Sequence, residues 1–255
     1  SEVSRLNRDG QLQRPSQDLL NVLRHAQTLA KATDGAFDVT VQPLWELFAT
    51  AKQNNVKPPP AQVQAAQQKV GWRHLNVTKD RVRFMRPGMK LTLNGIAQGY
   101  ASDCVEAALR RAGVQHALVD TGEVNSLGTK PAAKEAAEAG WKVGIQHPRQ
   151  REAYLALAQL RGRCLATSGD YATTFTPDFR SHHIFDPHTG QSPEQLSSVS
   201  IAARTGMEAD ALSTAVFVLG MERGLKLLQQ TPGADALLVQ KNGRSLRTPN
   251  FPITA

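Results

Sequence analysis

Between residues 116 and 203 the chain places one strand-like stretch after another with no amphipathic helix between them, and this order limits the fold more than any other feature. "HALVDTGEVNSLG" and "WKVGIQHP" read as strands, "AYLALAQLRGRCLATSG" supplies two more around Arg161-Gly162, and "SSVSIAA" adds another. The intervening "TKPAAKEAAEAG" has the composition of a helix but no apolar face, so residues 129–140 read as a surface insertion, not a crossover helix. A doubly wound sheet requires strict alternation of strand and helix. The pattern here favours an α+β fold of mixed sheets packed with helices.

Helices flank this strand-rich stretch. Ser16 can cap a helix from Gln17 to Ala32, whose Leu19, Leu20, Leu23, Ala26 and Ala30 form an apolar stripe ending near Gly35. After "TDGAFDVTVQP" a helical run, "LWELFATA", follows Pro43. The Pro-rich "KQNNVKPPP" reads as an exposed loop and Ala61 to Val70 as a helix closed by Gly71. "HLNVTKDRVRFMRPG" alternates about Lys79-Asp80 as a β-hairpin. "LTLNGIAQGYASDCVEAALRRAGV" reads as a strand, a glycine-bearing turn and a helix ending at Gly113. Towards the end come a helix through "ADALSTAVFVLG", another from Met221 to Gln230 and a strand from Ala236 to Gln240. No repeat and no clean boundary is visible, so residues 1–255 are expected to form a single catalytic domain.

Composition excludes some functions. No segment approaches the roughly 18 uninterrupted apolar residues of a membrane-spanning helix. A formal charge of +8 raises the question of nucleic acid. The basic residues are scattered, however, with no run longer than Arg110-Arg111, and aromatics are only 5% of the chain, so the stripe of cations and stacking rings that nucleic acid requires is missing. Cys104 and Cys164 form no C-x-x-C motif and suggest no zinc site, while a single disulfide between them stays open.

Four stretches could carry chemistry. Asp210 and Thr214 are four residues apart, so on a helix their oxygens share a face and could grip a hard cation such as Mg²⁺. The alternative is that Asp210 caps the helix and Thr214 bonds back within it. "SHHIFDPHTG" sets His182 and His183 before a tight bend. Strand alternation would send only one ring towards a site, either as a general base or as a structural histidine. Gly95 and Gly99 in "LNGIAQGYASD" remove side chains where the backbone could approach a ligand closely, or simply make a tight structural turn. "LATSGDY" crowds Thr167, Ser168 and Asp170 into either a phosphate cradle or a hydroxyl-stabilised turn. There is no G-x-S-x-G elbow and no phosphate-loop lysine.

Taken in order, "SEVSRLN", "GAFDVTVQPLWELF", "LNGIAQGYASD", "LATSGDY", "SHHIFDPHTG" and "ADALSTAVFVLG" resemble the ApbE family, the FAD:protein FMN transferases, from Ser1 to about Val239. The resemblance implies an α+β fold with a T-fold-like core and a periplasmic location. It also implies a Mg²⁺-dependent reaction that splits FAD, attaches FMN to a Thr or Ser of a target protein and releases AMP. Asp210, Thr214 and the Ala97 carbonyl would then hold Mg²⁺, and His183 would be the base for the acceptor hydroxyl. Ala36, Phe37, Asp38, Asn94, Tyr100 and Ile184 would line the FAD site, with Thr167 and Ser168 touching phosphate. A pyrophosphatase releasing free FMN, and a carrier that binds FAD without chemistry, are the alternatives.

The chain departs from the family pattern in three places. Where the family has Asp-Leu-Gly-Gly-Ile-Ala-Lys-Gly-Tyr, this chain has Thr92-Leu93-Asn94-Gly95-Ile96-Ala97-Gln98-Gly99-Tyr100, losing an acid and a lysine near the expected metal. Gly122-Glu123 stands for Gly-Gly-Asp, one residue shorter. These changes are similar to the branch that serves nitrous oxide reductase maturation, whose acceptor is a membrane-bound regulatory flavoprotein. The chain also begins inside the family's first motif, so the preceding segment, with a residue that packs on the flavin, is expected to be missing.

Overall fold

The computed structural model describes residues 1–130 and 140–254. The expected insertion at 129–140 therefore falls mostly outside the described residues. The chain divides into two compact units, Ser1–Asn94 with Ala172–Glu194, and Gly95–Tyr171 with Gln195–Ala255.

In the first unit, α1 (Glu2–Asp9) is capped by Ser1 and leads into β1 (Gln11–Gln13). The side chain of Asn7 clasps Leu91 twice, donating to its carbonyl at 2.8 Å and accepting from its N–H at 2.8 Å. α2 (Gln17–Ala32) starts where expected: Ser16 Oγ accepts from Leu19 N–H, and the buried Leu19, Leu20, Leu23, Ala26 and Ala30 form the apolar face. α3 (Gln42–Gln53) has Pro43 in its first turn, where a missing N–H costs nothing. α4 (Pro60–Gln67) packs against it through Leu44, Phe48, Val63 and Ala66. β2 (Leu75–Val77) and β3 (Arg81–Phe84) make the expected hairpin, and β1 joins it in an antiparallel sheet of order β1-β3-β2.

The segment that returns to this unit, Ala172–Glu194, forms no regular element. Phe175 and Phe185 join Phe48 in an aromatic cluster, with centroids 5.0 to 6.0 Å apart. Lys52 donates to the Thr174 carbonyl and Gln67 to the Pro187 carbonyl. The expected bend is present, closed by Gly190 N–H to the Asp186 carbonyl at 2.8 Å.

The second unit opens with α5 (Ala97–Arg111). The strand expected just before it does not form. Residues 91–93 form no regular element, and their backbone bonds run to the Asn7 side chain and the Val39 carbonyl, not along a neighbouring strand. β4 (Ala117–Asp120) and β5 (Val124–Leu127) form a hairpin, β6 (Trp141–His147) and β7 (Gln150–Leu160) a second one, and β8 (Cys164–Gly169) follows. β9 (Leu196–Ala203) leads to α6 (Gly206–Gln229), and β10 (Asp235–Gln240) and β11 (Ser245–Arg247) close the chain. The main sheet runs β11-β10-β9-β8-β5-β4, with every pair antiparallel.

Both faces of this sheet are covered. α6 lies on β8 and β9 with α5 beside it. On the other face the β6-β7 hairpin packs Ile145, Ala158 and Leu160 against Leu165, Ala202 and Leu237. β9 is therefore buried at all eight residues and reads as a continuous small and apolar run instead of alternating. α6 breaks at Gly220 (φ 76°), where Met221 N–H turns instead to the Gln195 side chain at 2.6 Å. The sequence divides the helix at the same residue.

Candidate functional site

The candidate residues fall into two groups, one in each unit. In the second unit Asp210 and Thr214 lie on one face of α6, as their spacing requires. The capping alternative for Asp210 is not realised, because the helix starts earlier. Thr205 is the cap, its hydroxyl accepting from Glu208 N–H, and the Asp103 carboxylate accepts from Gly206 N–H at 2.6 Å and Met207 N–H at 2.9 Å. Asp103, Glu106 and Cys164 come close enough together to resemble a metal cluster, but Asp103 is committed to this helix start.

Asp210, one turn further along, is buried. Its Oδ2 accepts from Gly99 N–H, in the first turn of α5, at 3.0 Å. Both glycines of the turn serve close approach. A Cβ on Gly99 would run into the Gly206 carbonyl and stand 2.8 Å from Asp210 Cβ, and one on Gly95 would stand 2.8 Å from Thr214 Oγ1. The stretch that carries Ala97 is thus pinned to Thr214 on one side of it and to Asp210 on the other. A carboxylate, a hydroxyl and a main-chain carbonyl make an all-oxygen donor set, which suits Mg²⁺.

The electrostatics also fit a cation. Burial pushes the Asp210 carboxyl up to about 7, against the pull of Gly99 N–H. Glu123, absent from the candidate residues of the sequence analysis, is pushed up to about 8 by burial and by the charge of Asp210, against a bond from Thr167 N–H. A cation held beside both acids would relieve them. The signal for Glu123 was its place directly after Gly122, where the chain departs from the family pattern. The two departures of this unit meet in space: the Gln98 side chain packs over Gly122 and donates to the Thr121 carbonyl at 3.4 Å. Ser102 Oγ ties the same loop down by donating to the Glu123 carbonyl at 3.0 Å.

Of the expected phosphate contacts, Thr167 pairs its hydroxyl with Ser200 at 2.8 Å. Ser168 meets Ser213 at 2.7 Å and Thr214 at 3.0 Å. Asp170 is buried and held bidentately by Arg149, at 2.7 and 2.8 Å, with Lys241 3.5 Å away. Tyr100 is half-buried on α5. Cys104 is exposed and Cys164 buried, and both are free thiols. Burial first, and the nearby acids second, push the Cys164 thiol far up, so it is inert.

In the first unit, Ala36, Phe37 and Asp38 are buried and Asn94 is exposed. Asp38 Oδ1 accepts from Thr40 N–H at 2.8 Å and from Thr40 Oγ1 at 2.7 Å, and Oδ2 accepts from Trp72 N–H at 2.8 Å. Thr40 Oγ1 in turn accepts from Gly71 N–H at 2.7 Å. Asp38 thereby locks the loop containing Ala36 and Phe37 to the stretch at Gly71-Trp72. Burial still raises its pKa, and these donors oppose the rise.

The two histidines differ in their surroundings, but no strand forms here to part them by alternation, and their rings meet edge-on with centroids 6.4 Å apart. His182 is fully buried. Its Nδ1 accepts from Ile184 N–H at 3.4 Å, so its N–H sits on Nε2, 3.2 Å from the Pro193 carbonyl. Ser192 holds its backbone, accepting from His182 N–H and donating to the His182 carbonyl. His183 is half-buried, and its Nδ1 lies 3.2 Å from the Thr173 carbonyl. A carbonyl only accepts, so the neutral ring carries its proton on Nδ1 and its basic lone pair on Nε2. Ile184 is buried beside it.

Comparison with known proteins adds an independent line. The ApbE family model matches residues 1–238. The FAD:protein FMN transferase of Salmonella typhimurium is 32% identical over 244 residues, a match that covers 91% of this chain and 68% of the relative. An ApbE protein of Thermotoga maritima aligns with a TM-score of 0.85 at 31% identity, covering 98% of this chain and 82% of its own. The apo flavinyl transferase ApbE of Pseudomonas stutzeri aligns at 0.79 and 33% identity, covering 98% and 78%.

Proposed function

Because this chain belongs to the ApbE family, we propose that it is an FAD:protein FMN transferase that uses Mg²⁺ and attaches FMN to a Thr or Ser of an acceptor protein. The observation that carries the metal part of this reading is the pinning of the Ala97 stretch between Asp210 and Thr214, two oxygen donors one turn apart. Bound there, Mg²⁺ would neutralise diphosphate charge and the charge that develops on departing AMP.

The rest of the reaction falls to the chain's own groups and the substrates. The acceptor hydroxyl oxygen attacks the phosphorus of the FMN half of FAD. The bond from that phosphorus to the bridging oxygen breaks, and AMP leaves with the electron pair. His183, with its proton held on Nδ1 by Thr173, takes the hydroxyl proton on Nε2. The loop of Ala36 and Phe37, made rigid by Asp38, serves as a wall for FAD. We propose a membrane-bound respiratory or nitrous oxide reductase regulatory flavoprotein as acceptor, on the strength of Gln98 and Gly122-Glu123.

The test is incubation of the protein with FAD, Mg²⁺ and a peptide or protein carrying a candidate acceptor Thr, read by mass spectrometry and by chromatography of nucleotides. An FMN adduct with AMP released in equal amount, lost on addition of EDTA, is the expected result. AMP with free FMN and no adduct would identify a pyrophosphatase instead. FAD left intact beside a true acceptor would identify a carrier.

A further inference from the structure

Three hydroxyls in the second unit form a chain whose direction can be read from one end. Ser213 Oγ lies 2.8 Å from the Asp210 carbonyl, which can only accept, so the single Ser213 proton is committed there. Ser213 also meets Ser168 Oγ at 2.7 Å, where it is left to accept and Ser168 must donate. Ser168, having given its proton to Ser213, must accept at its other contact, Thr214 Oγ1, at 3.0 Å. The Thr214 proton therefore points at β8, and its lone pairs point elsewhere. Gly95 keeps room beside that oxygen, since a Cβ there would stand 2.8 Å from it.

We infer that Ser168 and Ser213 are positioning residues that fix the Thr214 hydroxyl as an oxygen donor towards a divalent cation. The inference rests on the reading that Asp210 and Thr214 hold Mg²⁺. A hydroxyl can serve a cation only through a lone pair, and a hydroxyl free to turn can aim its proton at the ion instead. An acceptor fixed behind the hydroxyl removes that freedom before the ion arrives, as outer hydrogen bonds do for other metal ligands. Ser213 is fully buried, and the network draws on β8 and α6 alone, two elements packed directly on each other. This gives Ser168 a different task from the phosphate contact that the family resemblance implies.

Calorimetric titration of the purified chain with Mg²⁺, repeated with Mn²⁺, tests the inference without any turnover. Ser168→Ala is expected to raise Kd about five-fold, the equilibrium equivalent of one hydrogen bond. Ser168→Thr, which keeps the hydroxyl, should restore it. The double variant Ser168→Ala with Thr214→Ala should bind no more weakly than Thr214→Ala alone, because the serine acts only through the threonine. A wild-type Kd in Ser168→Ala while Thr214→Ala binds weakly would overturn this inference alone, as would losses that simply add in the double variant. Wild-type binding by Thr214→Ala, or no binding by the unaltered chain, would remove the metal reading itself and this inference with it. Should Ser168→Ala fail to fold, Ser213→Ala carries the same comparison.

Discussion

Asp38 and Asp210 are both buried carboxylates in stretches that the family resemblance singles out, yet their surroundings are opposite. Asp38, in the first unit, accepts three hydrogen bonds from Thr40 and Trp72. Asp210, in the second, accepts one from Gly99 among the described residues and has a second acid, Glu123, as its electrostatic neighbour. A carboxylate can accept about four bonds, so the chain nearly saturates the first and leaves the second largely unsupplied. Burial by itself does not mark a functional acid. What matters is how much of its capacity the chain's own donors take up, and what must come from outside to supply the rest. The histidine pair repeats the contrast at short range, since His182 is tied up on both ring nitrogens while His183 has its proton placed by Thr173 on Nδ1.

The contrast would break if the two acids responded alike. Asp210→Asn is expected to lower FMN transfer about a thousand-fold, the scale of losing a metal's charge stabilisation, with the urea unfolding midpoint equal to or above that of the unaltered chain. Transfer assays and urea titrations on one preparation check both halves. His183→Ala should slow transfer about a hundred-fold while FAD binding, followed by flavin fluorescence, stays unchanged. An unchanged rate would remove its role as base. Asp38→Ala should do the reverse of Asp210→Asn, lowering stability by about 2 to 3 kcal/mol because the Thr40 and Trp72 donors lose their partner. A loss of turnover in still-folded Asp38→Ala as deep as that in Asp210→Asn would end the distinction.

A further expected effect is a pH dependence. The Glu123 carboxyl is raised from 4.5 to about 8, so the folded chain holds this proton more tightly than the unfolded one. The stability this adds is fully present below the unfolded value and is lost as pH rises through the folded one. In EDTA, the melting temperature of the natural chain relative to Glu123→Gln should fall steadily across that interval. Added Mg²⁺ should flatten the fall. A difference that does not vary with pH would show that Glu123 is not held in its protonated form.

Much of this was legible in the sequence, for identifiable reasons. The stripe of α2 and its Ser16 cap, the hairpin at Lys79-Asp80 and the break of α6 at Gly220 depend on contacts within a few residues of one another, which periodicity and turn chemistry record. The strand expected before α5 failed because the partners of residues 91–93 are the Asn7 side chain and the Val39 carbonyl, contacts that no local pattern encodes. The start of α6 was placed too late for a similar reason, since part of its capping comes from Asp103, about a hundred residues earlier in the chain. The placing of Asp210 and Thr214 on one face was visible as spacing on one helix. Its supports were not: Gly99 N–H, Glu123 and the Ser168 hydroxyl reach α6 from α5, the β4-β5 loop and β8. The first unit is itself assembled from two distant segments, which leaves no boundary signal in the chain.

The contrast between the two acids is tested most directly by Mn²⁺ binding, read from the loss of the free-ion electron paramagnetic resonance signal and reversed by excess Mg²⁺. The natural chain and Asp38→Asn should both take up the ion, and Asp210→Asn should leave it in solution. Uptake by Asp210→Asn equal to that of the natural chain, or loss of uptake in a folded Asp38→Asn, would contradict the account.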